Sequence, residues 1–148
     1  MNDVAPPLPE IDCYRLVRQQ IEHEDNLVSQ RLSWLLGSQS FLFTAYAISL
    51  NGPTQIRSKQ LETHLGLLLV ILPLVSIISA FLIWMAVLAG TWTMYKLRRT
   101  YEREFVKFFG SEIPPVQSTG TALLLGHFAP VILPAVFMVV WLLLMLRN

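Results

Sequence analysis

Three stretches of this chain, residues 32–50, 65–90 and 121–146, contain no charged side chain and are each long enough to cross a lipid bilayer as a helix. At a rise of ~1.5 Å per residue the shortest, LSWLLGSQSFLFTAYAISL, covers about 28 Å, close to the ~30 Å of hydrocarbon that a span must bridge. A buried core helix can look like one such run. Three of them in 148 residues leave too little polar chain to cover them. Only 14% of the residues are charged and 53% are hydrophobic, whereas a soluble domain averages about 25% charged. The expected fold class is therefore all-α: an integral membrane protein with three transmembrane helices, the first two extended into a cytoplasmic helical pair.

The same reading divides the chain. Residues 1–11, with Pro6, Pro7 and Pro9, form a disordered N-terminus, and 12–50 an amphipathic cytoplasmic helix continuing into the first span. Residues 51–64 are an external loop. Residues 65–109 are the second span and a basic amphipathic extension, 110–118 a linker broken by Gly110 and Pro114-Pro115, 119–146 the third span, and 147–148 the external end. The opening residues carry more acids than bases and lack the pattern of a cleavable leader, so the first apolar run is expected to stay in the mature protein.

Composition narrows the chemistry. A net charge of +1 gives no bulk field to recruit nucleic acid. The single cysteine, Cys13, allows neither an intrachain disulfide nor a cysteine-based zinc site. The three histidines, His23, His64 and His127, lie far apart, and no HExxH, Walker A or GxSxG pattern occurs. The run Glu22-His23-Glu24-Asp25 cannot converge on one ion, because consecutive helical residues point in different directions. No enzyme, no cofactor and no metal site is expected.

Orientation follows from the loops. Arg15, Arg18, Arg31, Lys96, Arg98, Arg99, Arg103 and Lys107 flank one side of the spans, against Arg57, Lys59 and Arg147 on the other. Eight bases against three place the N-terminus and the 91–120 connection in the cytoplasm and the C-terminus outside, with the plasma (inner) membrane as the location. Trp34, Trp92 and Tyr95 then fall near the inner boundary and Trp141 and Tyr46 toward the outer one, as aromatic belts would, with ordinary packing an equal alternative for each.

From Asp12, a candidate N-cap, to Arg31 there is no Gly or Pro, and Tyr14, Val17, Ile21 and Val28 recur at helical spacing. After the second span, Met94, Leu97, Tyr101, Phe105 and Phe108 share one face, and Lys96, Arg99, Arg103 and Lys107 another. The basic stripe could lie on anionic headgroups; a solvated face of a helical hairpin is the simpler reading. Counting heights from the ends of the apolar runs sets Glu22, Glu24 and Asp25 against Arg98 and Arg99, and Arg15 and Arg18 against Glu102 and Glu104. Such pairs, formed either within one chain or between copies, contribute about 0–1 kcal/mol each, so they set register and partner choice while the apolar stripes hold the helices together.

Polar groups inside the spans carry the functional expectation, since each is costly in lipid. Ser33, Gly37, Ser40 and Thr44 step by four, three and four, a small-residue stripe that permits close helix approach. Gln39 lies off that stripe and needs a partner. Ser76 and Ser79 can bond to their own helix and signal little. In the third span Pro130 and Pro134 each remove a helix hydrogen bond beside His127. Heights counted from the inner boundary bring Gln39 and His127 to one level, where they form either a polar pocket or a packing bond in a kinked helix. The expected partners are the lipid bilayer, further copies of the chain and, through the cytoplasmic helices, a protein partner. The expected function is a homo-oligomeric ion channel or small-solute pore lined by Gln39, His127, Ser33, Ser40 and Thr44, the alternative a non-conducting membrane adaptor.

Overall fold

A computed structural model of the chain describes residues 10–51, 59–109 and 121–147, with side chains at 12, 14–51, 63–103 and 128–147. Among the described residues the structure is helical apart from Asn51, which is in a turn. The helices are α1 (Glu10–Leu50), α2 (Lys59–Phe109) and α3 (Thr121–Arg147). The second begins six residues earlier than the apolar run because 59–64, KQLETH, contains helix formers and neither Gly nor Pro. Both α2, through Pro73, and α3, through Pro130 and Pro134, stay helical across their prolines.

Two helical segments, Thr63–Arg103 and Phe128–Arg147, are long and apolar enough to cross a membrane. Only 17% and 11% of their most apolar windows is buried inside the protein. A soluble core helix hides its apolar surface within the fold, whereas here Ile78, Leu82, Met85 and Leu143 face outward. An apolar exterior of this extent requires a lipid or protein surround. At 51 residues α2 is about 76 Å long, more than twice the hydrocarbon thickness, so a spanning α2 must project well beyond the bilayer.

A seven-residue period organises the packing. In α2 the buried positions are Pro73, Ala80, Val87, Met94 and Tyr101, interleaved with Ser76 and Gly90. In α1 they include Ile21, Val28 and Leu35, and in α3 Pro134 and Trp141. This is the pattern of helices meeting along a coiled-coil seam. α1 and α2 run antiparallel: Tyr14 meets Tyr101 with ring centroids 6.3 Å apart, Val28 lies beside Gly90, and Gln39 reaches Ser76. Ile21, Val28, Val87 and Met94 form the core of that seam, joined by Val17, Leu32, Ile83, Leu97 and, from α3, Val131. The face expected from Met94, Leu97 and Tyr101 is therefore the packed one.

This register differs from the one counted from the apolar ends. Val28 sits opposite Gly90, and the Arg31 guanidinium donates from Nη1 to the Ala86 carbonyl at 2.9 Å. Equating Leu32 with Gly90 misplaces α1 by about one turn, because an apolar run ends where its own polar residues begin and not at a height shared with its neighbour. Glu24 consequently comes beside Gly90, with Oε2 3.6 Å from where a Cβ on that glycine would lie. Among the described residues the ion pairs are local, Arg18–Glu22 at 2.9 Å and Arg98–Glu102 at 2.8 Å, each i to i+4 on one helix. Within the chain, among the described residues, no bridge joins Glu22, Glu24 or Asp25 to Arg98 or Arg99, or Arg15 or Arg18 to Glu102; the Glu104 side chain lies outside the described residues. Glu22, and after it Tyr14, raises the pKa of Arg18, a group already fully ionised at neutral pH.

Candidate functional site

Gln39 is fully buried, and its carboxamide joins all three helices. From α1, Nε2 donates to the Ser76 carbonyl and to the Ser79 hydroxyl on α2, both at 3.2 Å. Its Oε1 accepts the indole N–H of Trp141 on α3 at 2.6 Å. Ser79 Oγ donates to the Ser76 carbonyl at 2.9 Å and Ser76 Oγ to the Leu72 carbonyl at 2.7 Å. The two serines do bond within their own helix, as their spacing suggests, but they also supply acceptors for Gln39, which sequence reasoning missed. Aromatic rings close the site: Phe43 stacks on Trp141 at 4.4 Å and 14°, and Tyr46 meets it edge-on at 5.4 Å and 85°.

Two expectations are corrected here. Trp141 and Tyr46 are buried core residues rather than parts of an outer aromatic belt. An indole carries a large apolar face and one N–H, so it suits a dry helix junction that offers an acceptor as well as it suits a membrane interface. The hydrogen bonds that Gln39 was expected to share with His127 go instead to Trp141, Ser79 and Ser76. His127 lies fourteen residues before Trp141 on α3, about 21 Å by helix rise. Its side chain lies outside the described residues. Pro134 is buried in the seam and Pro130 half-buried. Between them the Val131 carbonyl accepts the Trp84 indole N–H at 2.9 Å, a second α2–α3 bond.

The remaining polar residues of α1 are on the opposite side. Ser33, Gly37, Ser40 and Thr44 are all exposed, turned away from α2 and α3. Each hydroxyl donates to its own helix: Ser33 to the Ser29 carbonyl at 3.1 Å, Ser40 to Leu36 at 2.8 Å and Thr44 to Ser40 at 2.9 Å. A Cβ added at Gly37 would meet nothing within 4 Å. Asn26, Ser29, Gln30, Ser33, Trp34 and Gly37 line a shallow groove along this face. Of the pore candidates, the fold therefore groups Ser33, Ser40 and Thr44 on one outer face and removes Gln39 from it. Among the described residues no three His, Cys, Asp or Glu side chains cluster to hold a metal.

Compared with known protein families, with curated proteins and with solved structures, the chain matches none of them.

Proposed function

We propose that the chain is a homo-oligomeric membrane protein in which α1 is a third span and its outer polar face lines a path for ions or small solutes. The observation that carries this reading is the exposure of Ser33, Gly37, Ser40 and Thr44 on the side of α1 away from α2 and α3. Hydroxyls bonded to their own helix are tolerated by lipid, but four small positions in succession let a second copy pack closely, or line a water-filled axis between copies. Support for α1 as a span comes from its side-by-side packing. Gln39 and Phe43 lie against the apolar parts of α2 and α3, and residues 32–50 carry no formal charge. The N-terminus is assigned to the cytoplasm by the eight-to-three bias in basic residues.

The chemistry of the face suggests its preference. Each hydroxyl uses its proton on a helix carbonyl and turns oxygen lone pairs outward. Rings of such acceptors suit cations better than anions. Purified protein in sealed liposomes should therefore pass monovalent cations, with Ser40→Leu and Thr44→Leu reducing the flux. Impermeable liposomes holding correctly inserted oligomers would defeat the channel reading.

A second reading rests on a separate feature. The α1–α2 seam continues beyond the apolar runs as far as the Tyr14–Tyr101 contact. The projecting part is the helical pair of the α1 start and the α2 end, suited to docking a cytoplasmic protein, and the chain would then act as an adaptor without conducting.

A further inference from the structure

We propose that the outer face of α2 from Trp92 to Arg103 is a binding site for anionic phospholipid headgroups of the inner leaflet. It rests on α2 spanning the bilayer with its C-terminal end in the cytoplasm.

One face of α2 changes chemistry along its length. Ile71, Leu74, Ile78, Phe81 and Met85 recur every three or four residues and are exposed, forming an apolar strip. The same strip continues at that spacing through Trp92, Tyr95, Arg99 and Arg103, with Lys96 beside it. Trp92, 70% exposed, and Tyr95, 55% exposed, are in ring contact with centroids 6.4 Å apart. These two, with Lys96, Arg99, Thr100 and Arg103, line a groove on the outside of the helix. A lipid whose acyl chains lie on the apolar strip has its headgroup at this groove.

The heights agree. Headgroups occupy about 5–8 Å on each side of the hydrocarbon. Counted from Trp92 by helix rise, Lys96 lies about 6 Å, Arg99 about 10 Å and Arg103 about 16 Å along α2. The Cα–Cβ bonds of a helix tilt toward its N-terminus, which for α2 is the membrane side. Long basic side chains on this segment thus lean back onto the headgroups, as snorkelling residues do.

The charge at the groove is also uncommitted. Arg98, on another side of α2, is paired with Glu102, but among the described residues no carboxylate pairs with Lys96, Arg99 or Arg103. Three cations beside an indole and a phenol form a surface complementary to phosphodiesters, and each base near an anionic membrane strengthens attraction about fivefold. Read from spacing alone, the stripe is satisfied by water; its alignment with the lipid-facing strip decides for the headgroup.

The test reconstitutes the full chain in phosphatidylcholine vesicles containing trace spin-labelled phosphatidylglycerol or, separately, spin-labelled phosphatidylcholine. The parent should favour the anionic probe several-fold, and Lys96→Gln, Arg99→Gln, Arg103→Gln together should bring the ratio close to one. The control Arg15→Gln, Arg18→Gln, Arg147→Gln should keep the parental ratio. No preference in the parent, as expected if the groove serves an acidic protein segment, or an unchanged ratio in the first triple variant, overturns the site. Displacement by soluble glycerol phosphate reassigns it to a free phosphate and also overturns it. A parent that alkaline carbonate strips from both vesicle types disproves the spanning reading itself, an outcome distinct from the others.

Discussion

The Trp141 indole N–H donates to the Gln39 carboxamide oxygen at 2.6 Å, joining side chains 102 positions apart that are both completely shielded from solvent. Gln39 also holds Ser76 and Ser79, so one residue fixes the relative heights of three helices. Slipping any helix by seven residues, about two turns, would strand a buried donor or acceptor. The apolar seam alone tolerates such a slip, because its seven-residue period repeats.

Gln39→Leu is expected to strand the Trp141 N–H and to destabilise the protein by about 1–3 kcal/mol if the junction stays dry, or about 0.6–2 kcal/mol if alternative partners form in lipid. Trp141→Phe should cost a similar amount by stranding the Gln39 oxygen and leaving a cavity. The double variant should lose less than the sum. Denaturant unfolding in mild detergent measures all three, and strictly additive losses would mean the two side chains are not coupled.

Gly90 and Gly37 should respond in opposite ways to added bulk. A Cβ at Gly90 would lie 3.1 Å from Val28 Cγ2 and 3.3 Å from Arg31 Nη1, so the α1–α2 seam leaves little room at this position. Gly90→Val should cost about 1–3 kcal/mol by overpacking and displace the Arg31 bond to Ala86. Gly37→Ala meets open space and should be neutral or slightly stabilising for the individual chain. Melting temperatures in detergent compare them. Equal effects at the two glycines would contradict the helix placement.

Charge reversal distinguishes local from cross-helix pairing. Arg98→Glu should cost about 0.6–1 kcal/mol, the lost pair plus a like-charge pair of similar size, and Glu102→Arg should restore it, because these two form an i to i+4 pair. Reversing Glu22, Glu24 and Asp25 should give no rescue. Rescue from α1 measured in a double-mutant cycle would reinstate the cross-helix bands.

Much of the architecture was readable in the sequence, for physical reasons that particular residues make clear. Long charge-free runs located the three helices, and Met94, Leu97 and Tyr101 marked the packed face by spacing alone. The height of one helix against another was not readable. Arg31 bonds the Ala86 carbonyl inside the apolar run of α2, so the polar end of one helix overlaps the apolar end of its neighbour. The partner of Gln39 was missed for a related reason: Trp141 has the chemistry of both a belt residue and a buried donor, and only three-dimensional packing separates the roles. The outer stripe of Ser33, Gly37, Ser40 and Thr44 was legible as a helix face; that it faces away from the bundle was not.

Topology offers a direct check. A reporter fused after Asn148 should be active only on the outer side of the membrane, and one fused ahead of Met1 only in the cytoplasm, given the eight-to-three distribution of bases. Activity of both fusions on one side would mean an even number of spans, most simply α2 and α3 with α1 lying outside the hydrocarbon.

The assembly of α1 faces is open to cross-linking. With Cys13 replaced by serine, Ser33→Cys and Ser40→Cys place single thiols on the exposed stripe, whereas Leu35→Cys places one in the buried seam. A thiol pair bridges only when the Cα atoms come within about 7 Å. Oxidation in native membranes should join copies through positions 33 and 40 and leave position 35 unlinked. Gly37→Leu should abolish the cross-links by forcing the faces apart, while circular dichroism still reports the parental helix content. Cross-links with no liposome flux would favour the adaptor, with α1 serving only to hold copies together. Cross-linking at 35 as readily as at 33 would mean that Leu35 is not enclosed by α2 and α3, and the three-helix junction at Gln39 would have to be rebuilt.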